Sequence, residues 1–166
     1  GKRKIITIPG FRDKIRNSDS ILILVLGFQG NRAMSIFRKY SPYRTLSLIP
    51  NPIDEKKFEN KKIVYTNNDE LISNQFVTHD EIICFNPKKF KNQLDKKISL
   101  FFNNENISPN EFNIIISHLG PKTDVLGLYK YWLEHKEIQI CYSLPTRYRD
   151  NSQGIGKTFY LDFKNL

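Results

Sequence analysis

Two six-residue segments of this chain carry side chains suited to holding an anion. Gly27-Phe28-Gln29-Gly30-Asn31-Arg32 supplies two glycines for backbone turns, with Gln29, Asn31 and Arg32 as donors. His118-Leu119-Gly120-Pro121-Lys122-Thr123 supplies an imidazole, a glycine, a helix-opening proline, an ammonium and a hydroxyl. Each segment follows an apolar run and precedes a stretch of helical periodicity, so each predicts a strand, a glycine loop and a helix start. Free N–H groups and the helix dipole converge at such a junction and favour negative charge there. Lys122 sits near a positive helix end, where a cation is unfavourable unless an anion joins it. The candidate ligand-binding residues are therefore Gly27, Gln29, Asn31, Arg32, Gly120, Lys122 and Thr123. The plainer alternatives are an ordinary loop with its helix cap and a solvent-facing lysine.

Further along, Pro145-Thr146-Arg147-Tyr148-Arg149 leaves the last predicted parallel strand at the same sheet edge. Arg147 could reach a phosphate and Tyr148 could stack on a base, so both join the candidate site; a basic surface loop is the rival reading. Gly154-Ile155-Gly156-Lys157-Thr158 imitates the end of a phosphate-binding loop, but Asn151 stands where the first glycine is required. An alternating, strand-like run follows it instead of a helix, so a glycine-rich hairpin or flap is expected. His118 is the one weak candidate for acid–base catalysis. His79 and His135 lack partners at metal-ligand spacing, no motif implies a metal or a cofactor, and catalysis is not legible.

The elements that must position these residues follow from hydrophobic periodicity. Ile21–Leu26 is apolar on both faces, as in a central parallel strand covered by helices. Further strands are expected at Tyr43–Ile49 (stopped by Pro50-Asn51-Pro52), Glu81–Phe85, Phe112–Ser117 and Ile138–Tyr142. Thr158–Phe163 is expected as a sixth strand at an edge, and Ile5–Pro9 as a short strand or arm. Helices are expected after residue 30, across 53–76 with a break near Asn67-Asn68, from Pro87 to Phe102, and from Asp124 to His135. Alternating strands and helices predict an α/β, Rossmann-like domain: a mostly parallel sheet of five to six strands with helices on both faces. In the common strand order 3-2-1-4-5, Ile21–Leu26 and Phe112–Ser117 are neighbours whose outgoing loops diverge. Both glycine segments should then lie side by side at the carboxyl edge of the sheet.

At 166 residues the chain reads as one domain, 1–166, large enough to bury a core. Its only methionine is Met34, so a processed product or a fragment of a longer protein is expected. No apolar run approaches the roughly 20 residues that span a bilayer. Cys84 and Cys141 lie in separate strand-like runs, which fits buried free thiols and a cytoplasmic protein better than a disulfide framework. The net charge of +9 suits an anionic partner, nucleic acid included. A composition rich in Lys, Asn and Ile explains that charge equally simply, and the basic residues are scattered rather than set in a stripe.

The pairing of a first-strand glycine loop with a Gly-x-Lys loop after the fourth strand resembles the CARF and related Rossmann-like sensor domains of prokaryotic antiviral systems. The matching positions are Gly120, Lys122 and Thr123, with Gly27 to Arg32 as the first-strand loop, and the resemblance covers about Ile21 to Tyr142. His118-Leu119-Gly120-Pro121 stands where that family more often has a Thr/Gly-Gly run. The resemblance implies a homodimer that binds a nucleotide signal, such as a cyclic oligonucleotide, and controls an effector domain or partner protein. A small enzyme cleaving a phosphodiester or glycosidic bond in the same pocket is the alternative. A basic nucleic-acid-binding or protein-interaction module is the third reading.

Overall fold

The computed structural model describes residues 4–11, 19–52 and 58–144. Six strands form one sheet: β1 (Ile5–Thr7), β2 (Ser20–Val25), β3 (Arg44–Pro52), β4 (Val77–Cys84), β5 (Asn113–His118) and β6 (Gln139–Ser143). The helices are α1 (Gly30–Tyr40), α2 (Phe58–Asn67), α3 (Asp69–Ile72), α4 (Pro87–Asn104) and α5 (Val125–Glu134). Across the sheet the order is β1-β6-β5-β2-β3-β4, parallel except for β1. The five parallel strands thus follow the expected 3-2-1-4-5 arrangement.

Strand β2 is central because its side chains are apolar in both directions and each side meets a helical layer. Ile21, Ile23 and Val25 pack with Phe90, Leu94 and Ile98 of α4 and Leu128 and Tyr131 of α5. Leu22 and Leu24 pack on the opposite face with Ala33 and Ile36 of α1, Val64 of α2 and Leu71 of α3. Asn86 caps α4 by accepting from the Lys89 N–H at 3.0 Å, and Pro87 occupies the first turn, where its missing N–H is harmless. Gly127 lets α5 press on the start of α4: a Cβ there would lie 2.4 Å from the Pro87 carbonyl oxygen.

Two sequence expectations change. Strand β3 does not stop before Pro50 but runs through Pro52, pairing Pro50 with Ile82 and Pro52 with Cys84. Backbone groups of a parallel strand alternate between its two neighbours; Thr45 donates toward β4 and Leu48 accepts from Leu26 on the β2 side. Pro50 and Pro52 share the Leu48 parity, so their missing N–H groups face the side where β2 has already ended at Val25. Strand β4 begins at Val77, earlier than its apolar core indicates, because its first half is polar and exposed at the sheet edge. The edge beside β6 is taken by the antiparallel Ile5–Thr7, with Ile5 opposite Ser143. The expected strand Thr158–Phe163 lies outside the described residues, as does the glycine-rich flap. Among the described residues no helix is long and apolar enough to cross a membrane.

Candidate functional site

The carboxyl ends of β2 and β5 lie side by side, with Val25 opposite His118. The Leu119 N–H donates to the Val25 carbonyl at 2.8 Å, so the loop leaving β5 starts on the end of β2. A Cβ on Gly27 would stand 1.9 Å from the Leu119 carbonyl oxygen, and one on Gly120 3.1 Å from that of Leu26. The two glycine segments are therefore in contact, as the strand order demands. Gly27 is glycine because another backbone crosses it.

The first junction is closed by protein. A Cβ on Gly30 would lie 1.6 Å from the Asn67 carbonyl oxygen, so the end of α2 abuts the start of α1. Oppositely directed helix ends meet there, and the α2 carbonyl end offsets the positive end of α1. The Asn67 amide donates to the Phe28 carbonyl at 2.6 Å, and the buried Asn68 amide donates to Gly27 at 2.9 Å and Val64 at 2.7 Å. The Leu119 and Asn67 carbonyls between them explain both loop glycines without a ligand, and the asparagine clamp holds the loop carbonyls. The sequence shows Asn67-Asn68 only as a helix break, and nothing in its spacing announces the partner 40 residues away. Asn31 is exposed and borders a separate depression with Ser35, Arg38 and Glu70.

The second junction opens onto a polar cleft of about 270 Å³ that gathers Gln29, Arg32, His118, Gly120, Lys122 and Tyr142. Two of its groups are cationic, Arg32 from α1 and Lys122 from the loop after β5. Arg32 is partly committed: its guanidinium donates to the Ser143 carbonyl at 2.6 Å and lies 5.0 Å from the Tyr142 ring centre, while its Nε is buried without a partner. Lys122 is exposed, and no hydrogen bond or ion pair joins its side chain to another described residue. It stands in a short 3-10 turn, Lys122–Asp124, that leads into α5. Thr123 is exposed too, but its hydroxyl turns to Asp124 at 3.5 Å and it does not line the cleft.

His118 is 7% exposed, edge-on to Phe90, and its Nε2 has no partner. Burial pushes its pKa down to about 4, so the ring is neutral near pH 7. A neutral imidazole this far from its ordinary value is better suited to a hydrogen bond than to proton transfer. Asp124, which the sequence did not single out, is fully buried behind the same loop. One carboxylate oxygen accepts from the Phe85 N–H at 2.9 Å and the other has no partner; burial raises the pKa to about 7. Phe85 itself is left-handed, with φ of 64°, so the carboxyl holds a backbone conformation that a phenylalanine disfavours.

Beyond the Gly27–Leu119 contact lies a second hollow, of about 200 Å³, at the ends of β3 and β4. Its walls include Phe28, Pro50, Pro52, Val64, Cys84 and Leu119, and Phe28, Leu119 and Gly120 are shared with the polar cleft. Cys84 and Cys141 are both buried, and they form no disulfide. Arg147 and Tyr148, expected to flank the site, lie outside the described residues. Of the other expected residues, the fold gathers Gln29, Arg32, Gly120, Lys122 and His118 into one cleft, assigns Gly27 to its floor contact, and turns Asn31 and Thr123 elsewhere. Comparison of the chain with protein-family models, with curated proteins and with solved structures gives no match.

Proposed function

We propose that this domain is a ligand sensor that binds a nucleotide-type anion, such as a cyclic oligonucleotide, in the polar cleft at the carboxyl edge of the sheet. One observation carries the reading: at the switch point between β2 and β5, an uncommitted Lys122 side chain and a half-committed Arg32 line one cleft together with His118, whose buried Nε2 has no partner. Two cations supply charge for a phosphate, and the neutral His118 supplies a directional hydrogen bond. Among the described residues no carboxylate lines the cleft. Occupancy would be passed to an effector module or partner protein, in a cytoplasmic homodimer of the CARF type. Sensing fits better than catalysis because burial moves the only imidazole of the cleft away from the working range of an acid–base catalyst.

The test is titration calorimetry of wild type and Lys122→Ala against mononucleotides and linear and cyclic oligonucleotides, with product analysis of each mixture. Wild type is expected to bind one class and leave it intact, and Lys122→Ala to weaken it about tenfold to a hundredfold, since a charge-assisted contact is worth roughly 1.5–3 kcal/mol. Equal affinities for wild type and variant would remove Lys122 from the site. Turnover of the bound nucleotide would favour the enzyme. Affinity for any nucleic acid that tracks salt alone would favour a nonspecific basic surface.

A further inference from the structure

We infer that the apolar hollow beside the cleft receives the planar ring of the same ligand whose anionic group sits at Lys122, which makes the ligand class a phosphorylated ring compound such as a nucleoside phosphate. The inference rests on the anion-binding reading and sharpens it. An apolar cavity of about 150 Å³ is large enough to take up benzene, so the hollow of about 200 Å³ admits a single or fused ring.

Its walls explain why a ring suits it. Beyond the end of β2, strand β3 presents Pro50 and Pro52, which carry no N–H and offer flat apolar faces. Val64, Leu119 and Asn60 line it as well, and Asn60 brings an amide to an otherwise apolar set of side chains. Phe28 is 54% exposed and Phe85 46% exposed, so large apolar side chains stand open around this hollow. Continuity fixes the occupant: Phe28, Leu119 and Gly120 line both compartments, so a molecule crossing the Gly27–Leu119 ridge has its ring on one side and its anion on the other. Inorganic phosphate or a sugar phosphate would use only the polar half.

The experiment compares the four nucleoside 5'-monophosphates, ribose 5-phosphate and inorganic phosphate by calorimetry, on wild type and on Asn60→Trp. Position 60 is exposed on α2, so a tryptophan there can lie across the hollow without entering the folded core. At least one nucleoside monophosphate is expected to bind about tenfold or more tightly than ribose 5-phosphate. Asn60→Trp should erase that preference while leaving ribose 5-phosphate binding unchanged. Saturation-transfer NMR on wild type should show the base protons more strongly saturated than the ribose protons. Equal affinity for all phosphates would overturn the ring site and leave the anion site standing. Loss of nucleotide and ribose 5-phosphate binding together in Asn60→Trp would also overturn it, because the hollow would then not be separable from the cleft. No binding by wild type to any of the six would overturn the ring site, while the titration with linear and cyclic oligonucleotides decides the anion-binding reading separately.

Discussion

The two glycine junctions are built alike in sequence and finished differently in space. After β2, both glycines and two loop carbonyls are answered by other parts of the chain: Gly27 by the Leu119 carbonyl, Gly30 by the Asn67 carbonyl, and the Phe28 and Gly27 carbonyls by Asn67 and Asn68, while the Asn68 Oδ1 and the Arg32 Nε stay buried without a partner. After β5, polar groups are left unanswered: the His118 Nε2, one Asp124 oxygen and the Lys122 ammonium. A glycine loop at a helix start therefore carries no function by itself. What separates the two junctions is where the unanswered groups lie: Arg32, His118 and Lys122 line the polar cleft between β2 and β5, whereas Asn68 does not, and buried unpaired polar atoms cost free energy that a ligand in that cleft could recover.

The largest effect expected from this difference is steric. Gly30→Ala puts a Cβ where the Asn67 carbonyl oxygen already lies, and backbone on both sides blocks relief. It should cost about 3 kcal/mol or more in urea unfolding, the upper range of overpacking. Gly120→Ala, whose nearest neighbour would be 3.1 Å away, should cost less than half as much. Equal costs would mean that the first junction is no tighter than the second.

The asparagine clamp comes next. Asn68→Ala removes two buried amide hydrogen bonds and leaves the Gly27 carbonyl short of a donor, while Val64 keeps the backbone N–H of residue 68, a loss of about 2 kcal/mol. Asn67 is exposed, so Asn67→Ala should cost well under 1 kcal/mol despite its shorter bond to Phe28. Hydrogen exchange at Gly27 to Arg32 checks the mechanism: it should accelerate in Asn68→Ala and scarcely change in Asn67→Ala.

The third effect is a pH dependence in the second junction. Asp124 has its pKa raised in the folded state, so its stabilising contribution is complete below the unfolded value of 3.8 and disappears as pH rises through about 7. His118 has its pKa lowered, so its contribution is present above 6.5 and is lost as pH falls through about 4. Between pH 4 and 6.5 the two slopes oppose each other; from pH 6.5 to 8 Asp124 acts alone. Asp124→Asn should therefore gain about 1 kcal/mol relative to wild type between pH 6 and pH 8 in denaturant titrations. A parallel pair of stability curves over that range would show that the carboxyl is not desolvated.

Much of this frame is legible in the sequence, for a physical reason. Ile21–Leu26 has no polar residue to expose, so it must lie between two helical layers, and the strand order then brings the two loops together. Pro87 and the stripe Phe90, Leu94, Ile98, Phe101 and Phe102 define α4 by spacing alone, and all are buried. Pro50 and Pro52 mislead because a proline is excluded from a strand only where its N–H would be used, and the early end of β2 is a tertiary fact. Asn68 and Asp124 are illegible for the same reason: their importance lies in distant backbone groups, Gly27 and Phe85, that no local pattern connects to them.

The smallest stability effect separates the two cations of the cleft. Lys122 is exposed and its side chain is bonded to no other described residue, so that side chain contributes almost nothing to the folded state. Arg32 donates to the Ser143 carbonyl at 2.6 Å and covers Tyr142, tying α1 to the end of β6. Lys122→Ala should therefore leave stability within about 0.5 kcal/mol of wild type, as surface changes usually do. Arg32→Ala should cost about 1–2 kcal/mol, because a buried carbonyl loses its charged donor and the aromatic ring loses its cover. If phosphate-bearing ligands use the cleft, both variants lose affinity, but only Arg32→Ala loses stability with it. Thermal unfolding of the two variants without ligand decides the matter. A Lys122→Ala variant as destabilised as Arg32→Ala would show that Lys122 is part of the scaffold, and the second junction would then be as self-satisfied as the first.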